Sequence, residues 1–257
     1  MNTRHRLIIA GPCAAESSDQ IERALGEAKS RQLDFVRISL WKPRTRPGFE
    51  GVGQEGLPWL VQAVQAGLNP ATEVLTPSQA EAVLEAVLPA LGDRRLLLWI
   101  GARNQNHLIQ RDISRLVSQD QRVKLLIKNQ PWLSREHWLG MLEHVLAGGI
   151  SHENLILCHR GFTPGDQPNP QNYRNLPDFE LAMVIKLETG LPIVFDPSHS
   201  GGSVKNALIL AKQAFTYDFD GLMVEVHPNP PEAKSDASQQ LTWQQFDELL
   251  SSLPVAS

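Results

Sequence analysis

Residues 96–129 read LLLWIGARNQNHLIQRDISRLVSQDQRVKLLIKN and contain one complete unit of the fold. The stretch opens on the run LLLWIGAR (96–103) and closes on KLLIKN (124–129), with a helix-period segment at about 105–118 between them. Both runs are continuously apolar rather than alternating, the pattern of parallel strands covered on both faces. Each carries a cation, Arg103 or Lys128, where the strand gives way to a loop.

The same unit continues in both directions. RLIIAGPC (6–13), FVRISL (35–40) and ATEVL (71–75) precede it, and LILCHRG (155–161), PIVFDPSH (192–199) and GLMVEVH (221–227) follow, making eight strands. Thr76, Pro77 and Gln79 supply an N-cap, a first-turn proline and a capping box for one intervening helix. Ser134 opens another that meets Gly148 and Gly149 where a C-terminal stop belongs, and Thr242 with Gln245 repeats the box. Further helices are expected at about 18–31, 54–67, 177–189 and 203–215. Eight strands alternating with eight helices predict an α/β fold, a closed (β/α)8 TIM barrel occupying residues 1–257 as a single domain. An open doubly wound sheet is the alternative, but no glycine-rich G-x-G-x-x-G turn follows the first strand. The stretch FTPGDQPNPQNYRNLP (162–177) reads as a mobile loop after strand six.

A chain of 257 residues with 42% hydrophobic and 20% charged residues is long enough to bury a substantial core. No stretch approaches the roughly 20 apolar residues of a membrane helix. The start, MNTRHRLIIAGPCAAES, imitates a signal peptide, but its apolar run LIIA is four residues long. A secretory core needs about 7–15. Cys13 and Cys158 give no disulfide framework, so a reduced, cytoplasmic setting is expected. The formal net charge of −4 argues against a nucleic-acid partner. Small anionic ligands are compatible with it, because local field governs their binding.

Barrel enzymes carry their chemistry at the C-terminal ends of the strands. Reading off the polar residues there gives two chemical sets. Cys13, His199, Glu225 and Asp236 come from the first and last two strands, which become neighbours when a barrel closes. Such a mixed sulfur, nitrogen and oxygen set suits a divalent transition metal. The blander alternatives are a core cysteine, an Asp196 that caps a turn, and a His199 that begins the next helix. Arg37, Lys42, Arg103, Lys128 and Arg160 form the other set, and Glu73 stands among them. Five cations at strand ends are expensive without an anion to pair with, and arginine forks suit phosphate or carboxylate. Surface salt bridges explain any one of these cations but explain the set poorly.

The motifs GPCAAES, KPRTRPGFEGVGQEGL, WIGAR, IKN, HRGF, DPSHSGG and VEVHPNPPEAKSD together resemble 3-deoxy-D-arabino-heptulosonate 7-phosphate (DAHP) synthases. The likeness is to the compact branch related to barrels fused to chorismate mutase. It runs from residue 11 to 236 in the family order. The resemblance implies condensation of phosphoenolpyruvate with erythrose 4-phosphate, the first step of the shikimate pathway to aromatic amino acids. It implies a divalent metal such as Mn2+, Fe2+, Co2+ or Zn2+, with Cys13, His199, Glu225 and Asp236 as its ligands. Arg37, Arg103, Lys128 and Arg160 fall on the phosphoenolpyruvate cations, and Glu73 on a nearby polar position. Lys42 falls between the substrates as a catalytic residue, and Arg44 and Thr45 on the erythrose phosphate site. Arg46 has no assigned role. Homo-oligomers are usual in the family. No feedback or mutase domain is expected, so allosteric control would come from a separate regulatory or chorismate mutase chain.

The chain departs from the family pattern at Asn104 and Gln105, where two threonines are usual, and in IKNQPW after Lys128. These changes bear on substrate affinity rather than reaction type. The nearest rival is 3-deoxy-D-manno-octulosonate 8-phosphate synthase, which uses arabinose 5-phosphate and has Lys-Ala-Asn where this chain has KPRT. A non-catalytic barrel that binds anions or regulates a partner is a different class, and loss of a ligand or cation would be its sign.

Overall fold

In the computed structural model, residues 5–43 and 48–254 are described. Eight parallel strands close on themselves in sequence order. They are β1 (Leu7–Gly11), β2 (Phe35–Arg37), β3 (Pro70–Glu73), β4 (Leu96–Ile100), β5 (Val123–Lys128), β6 (Leu155–His159), β7 (Ile193–Phe195) and β8 (Gly221–Glu225). The seam joins β1 to β8 over Leu7↔Gly221 through Gly11↔Glu225. Gly221 is required there: a Cβ would lie 1.9 Å from the carbonyl oxygen of Leu7.

The outer layer comprises α1 (Ser18–Ser30), α2 (Leu57–Gln65), α3 (Pro77–Val87), α4 (His107–Val117), α5 (Arg135–Leu146), α6 (Phe179–Thr189), α7 (Pro197–Gly201), α8 (Val204–Ala214) and α9 (Trp243–Ser252). Local sequence sets their ends. Thr76 accepts from the Gln79 N–H with Pro77 in the first turn, Ser134 accepts from the His137 N–H, and Thr242 and Gln245 form the reciprocal capping box. Gly190 closes α6 in the left-handed region at φ 66°.

The expected seventh strand, 192–199, is shorter than its apolar run. It stops at Phe195, because Asp196 caps the one-turn helix α7 by accepting from the His199 N–H, and Pro197 takes the first helical position. The second strand likewise ends at Arg37.

The strands bury both faces, yet their two faces do different work. Leu96, Leu98, Ile100, Leu125, Ile127, Leu155 and Leu157 pack outward into the layer under the helices. Phe35, Ala71, Leu97, Trp99, Leu126, Ile156, Cys158, Val194 and Met223 fill the barrel interior. Side chains alternate with period two along a strand. The next inward position after Phe35, Ala71, Leu126, Cys158, Val194 and Met223 is therefore Arg37, Glu73, Lys128, Arg160, Asp196 and Glu225. Each of these six is at least nine-tenths buried. The hydrophobic plug thus ends in a ring of charge at the C-terminal mouth.

Among the described residues, no helix is long and apolar enough to cross a membrane.

Candidate active site

Cys13 lies just beyond β1, 1% exposed, with its N–H donating to Gln240 Oε1 at 2.9 Å. Its Sγ lies 3.4 Å from Asp236 Oδ2 and accepts from Lys42 Nζ at 2.7 Å. One ligand atom each from Cys13, Glu225 and Asp236 falls within 4.8 Å of the others. His199 joins from α7, its Nε2 3.5 Å from Glu225 Oε1. Its other ring nitrogen, Nδ1, donates to Asp196 Oδ2 at 2.8 Å, which leaves the Nε2 lone pair facing the cluster. Asp236 occupies the left-handed region at φ 45°, a conformation that aspartate tolerates better than most residues.

Burial raises the pKa of the Cys13 thiol, and the neighbouring Glu225 carboxylate adds to this. Burial would also raise Glu225, but His199, Lys42 and Arg37 together hold it below the usual carboxylate range. Asp236 is likewise depressed: Lys42 and His199 outweigh its burial. His199 is pushed down to about 4 by burial, against the pull of Asp196. The cluster therefore holds two ionised carboxylates, a neutral imidazole and a protonated thiol that loses its proton on binding a cation.

The second set lines a cavity of about 410 Å³ that includes Arg37, Lys42, Glu73, Arg103, Lys128 and Arg160. Arg37 is 2% exposed and sits 5.2 Å over the Trp99 ring. Its Nη2 donates to Glu225 Oε1 at 3.1 Å, while Nε and Nη1 have no hydrogen-bond partner among the described residues. A buried guanidinium with two donors unpaired among the described residues can take up an anion. Lys128 Nζ donates to Asp196 Oδ2 at 2.5 Å. Arg160 is lowered to about 10 by burial, and its Nη1 donates to Asn175 Oδ1 at 2.7 Å. Lys42 Nζ also donates to Asp236 Oδ2 at 2.9 Å. Glu73 packs against Gly101, where a Cβ would lie 2.1 Å from Oε1; burial raises its pKa despite Lys42, Lys128, Arg37 and Arg103.

The structure brings Cys13, His199, Glu225 and Asp236 to one side of this cavity, and Arg37, Lys42, Glu73, Lys128 and Arg160 around it. Arg103 stands at the exposed rim, its Nη1 donating to the Pro43 carbonyl at 3.2 Å. Arg44, Thr45 and Arg46 lie outside the described residues. Asn104 and Gln105 are not among the cavity-lining residues: their amides donate to the carbonyls of Leu75 and Ala102 at 2.9 and 2.7 Å. They brace loops, and so stand behind the cavity wall rather than in it.

The motif reading did not find Arg174, Asn175, Gln239 or the bridging part of Asp196. Arg174 Nη1 donates to Asp236 Oδ1 at 3.0 Å and to Gln239 Oε1 at 2.8 Å, and Gln239 Nε2 donates to Glu225 Oε2 at 2.7 Å. The loop carrying Arg174 and Asn175 is clipped at its ends by paired backbone bonds between Phe162 and Leu176.

A parallel (β/α)8 barrel with a thiol, imidazole and carboxylate cluster beside a buried cationic cavity is an enzyme scaffold of the metal-assisted, anionic-substrate class. Its relatives are specific. The chain belongs to the DAHP synthetase I family, whose model matches residues 2–254. It is 32% identical over 245 residues to a phospho-2-dehydro-3-deoxyheptonate aldolase of Thermotoga maritima, covering 95% of this chain and 67% of that protein. The crystal structure of phospho-2-dehydro-3-deoxyheptonate aldolase (DAHP synthase) from Thermotoga maritima superposes with a TM-score of 0.82 at 30% identity, covering 97% of this chain and 68% of that one. A 2-dehydro-3-deoxyphosphooctonate aldolase of Nitratidesulfovibrio vulgaris is 28% identical, covering 90% of this chain and 84% of that protein.

Proposed function

We propose that the cavity binds phosphoenolpyruvate and erythrose 4-phosphate and that its residues carry the DAHP synthase condensation, the entry step of the shikimate pathway. The observation that carries this reading is the Arg37–Glu225 contact of 3.1 Å. Through it, the buried arginine shares a wall with the Cys13, Glu225 and Asp236 cluster, so an anion held by Arg37 would lie beside the residues that would hold a metal.

The residues present fit a divalent metal. Cys13, Glu225 and Asp236 offer converging donor atoms, and Asp196 fixes the His199 tautomer that offers Nε2. When bound, the metal supplies Lewis-acid polarisation of the aldehyde oxygen. Arg37, Lys128 and Arg160 hold the phosphate and carboxylate of phosphoenolpyruvate, with Arg103 at the rim. Arg44 and Thr45 hold the phosphate of erythrose 4-phosphate. Fixing both anions places C3 of phosphoenolpyruvate against the aldehyde carbon. As the C3–C1 bond forms, Lys42 gives a proton to the new alkoxide or stabilises its charge. Water then adds at C2, its released proton replacing the one taken up by the alkoxide. The resulting phosphohemiketal loses phosphate by C–O cleavage, the hydroxyl proton leaving with the phosphate, to give the ketone. Glu73 sets the charge balance among the cations.

The chain acts as one catalytic unit, in the cytoplasm and as a homo-oligomer, with any regulation coming from a separate regulatory or chorismate mutase chain. With Mn2+, purified protein is expected to release phosphate from phosphoenolpyruvate only when erythrose 4-phosphate is added. Equal or faster turnover with arabinose 5-phosphate overturns the assignment in favour of the octulosonate reaction. No turnover with either sugar points to the non-catalytic barrel. Cys13→Ala is expected to abolish the metal-dependent activity, and normal activity in that variant removes Cys13 from the ligand set.

A further inference from the structure

Asn175 joins the two halves of the site through one side chain. It is 4% exposed, between β6 and α6, and its backbone N–H donates to the Ser200 carbonyl at 3.0 Å. Its Oδ1 accepts from Arg160 Nη1 at 2.7 Å, and its Nδ2 donates to the His199 carbonyl at 2.6 Å. The backbone of Arg160 is held separately, by its N–H donating to Asn129 Oδ1 at 2.8 Å. The Asn175 contact therefore acts on the guanidinium itself. On the other side, Asp196 fixes the His199 N–H and Nδ1, and the Asn175 amide holds its carbonyl.

The Asn175 backbone packs closely against Gly161. A Cβ on Gly161 would lie 2.7 Å from the Asn175 carbonyl oxygen and 3.0 Å from its Cβ. An amide is also the side chain this place requires, since it offers an acceptor to a cation and a donor to a carbonyl at once. Leucine has a similar shape and offers neither.

We propose that Asn175 is a positioning residue that couples Arg160 to His199, so that anion affinity and metal affinity depend on one amide. The proposal rests on the assignment of Arg160 to phosphoenolpyruvate and of His199 to the metal. A restraint shared between two sites makes their binding reciprocal: each ligand tightens the other by the same factor.

The test uses the full chain stripped of metal and titrated with Co2+, following the thiolate-to-cobalt absorption band, with and without phosphoenolpyruvate. In the unaltered protein, phosphoenolpyruvate is expected to tighten Co2+ binding at least about fivefold. In Asn175→Leu, Co2+ affinity without phosphoenolpyruvate and KM for phosphoenolpyruvate should each worsen about tenfold, and the mutual enhancement should fall below about twofold. Asn175→Ala is the second variant, and urea midpoints of both establish that the proteins compared are folded. Folded variants that keep both affinities and their coupling overturn the proposal, as does a shift in one affinity without the other. Arg160→Ala and His199→Ala separate the two levels. If those leave phosphoenolpyruvate KM and Co2+ affinity unchanged, the site assignment itself fails; if they shift them and the Asn175 variants do not, the coupling alone fails.

Discussion

Replacing Asp196 with asparagine removes one charge and no volume, at a residue that is fully buried. Oδ2 of Asp196 accepts from Lys128 Nζ at 2.5 Å and from His199 Nδ1 at 2.8 Å, while Oδ1 accepts the capping N–H of His199 at 3.0 Å. An asparagine that keeps the cap turns its NH2 toward two other donors. The Lys128 ammonium then loses its counter-charge in a buried place, a loss of about 3–5 kcal/mol for a broken buried pair. The imidazole also shifts its proton from Nδ1 to Nε2, which withdraws the lone pair aimed at the cluster. Loss of such a supporting carboxylate typically lowers metal affinity about 10–100-fold. If the amide flips instead, the cap is lost, at about 1 kcal/mol, and the tautomer survives. Urea unfolding of metal-free protein at neutral pH reads the first quantity, and Co2+ titration reads the second. His199 and Lys128, among others, hold Asp196 well below its ordinary pKa despite its burial. Its stabilisation is therefore complete above about pH 4 and is lost as pH falls through the depressed value. A stability change under about 1 kcal/mol together with unaltered Co2+ affinity refutes this account of the bridge.

Two further outcomes follow from the scaffold. His159 is fully buried, and burial pushes it down to about 3 from its ordinary value, with its Nε2 accepting the Asp178 N–H at 3.0 Å. The unfolded chain binds this proton first, so stability should fall as pH drops from about 6.5 toward 3, by on the order of 5 kcal/mol in all. His159→Gln keeps an acceptor without the titration, and its urea midpoint should depend less on pH across that window; an unchanged slope excludes His159 as the source. Gly221→Ala puts a methyl 1.9 Å from the Leu7 carbonyl oxygen at the closing seam, and should lower unfolding free energy by at least about 2 kcal/mol. A neutral result would show that the seam yields.

The fold was legible because parallel strands in a barrel bury both faces, so each announces itself as a short apolar run, as LLLWIGAR does. The strand ends were legible for a related reason. Arg37, Glu73, Lys128, Arg160 and Glu225 each stand two residues beyond an interior side chain, and a charge in that phase has only the mouth of the barrel to occupy. The same rule picks out Asp196, which the sequence reading treated as a turn cap. The cap is real, but it uses Oδ1, while Oδ2 bridges Lys128 and His199. One residue serves both readings because α7 begins inside the site.

What sequence could not reach has a different physical origin. Cys13 and Glu225 are far apart in the chain and become neighbours through the β1–β8 pairing, where Gly11 lies opposite Glu225. That juxtaposition follows once closure is assumed, so the convergence of Cys13 and Glu225 could be read from the barrel. Arg174 and Asn175 come from a loop rich in proline and asparagine, which has no period to fix its phase. Their placement depends on contacts such as Gly202, where a Cβ would lie 2.7 Å from Arg174 Cβ, and Gly161, which admits the Asn175 backbone. Both glycines hold positive φ, 69° and 77°, and sit in the motifs DPSHSGG and HRGF. Each glycine thus leaves space for a loop residue that in turn holds a site residue: Arg174 on Asp236, and Asn175 on Arg160 and His199. The glycines in those motifs therefore shape the site along with the charged residues beside them, because they admit the side chains that hold Asp236, Arg160 and His199.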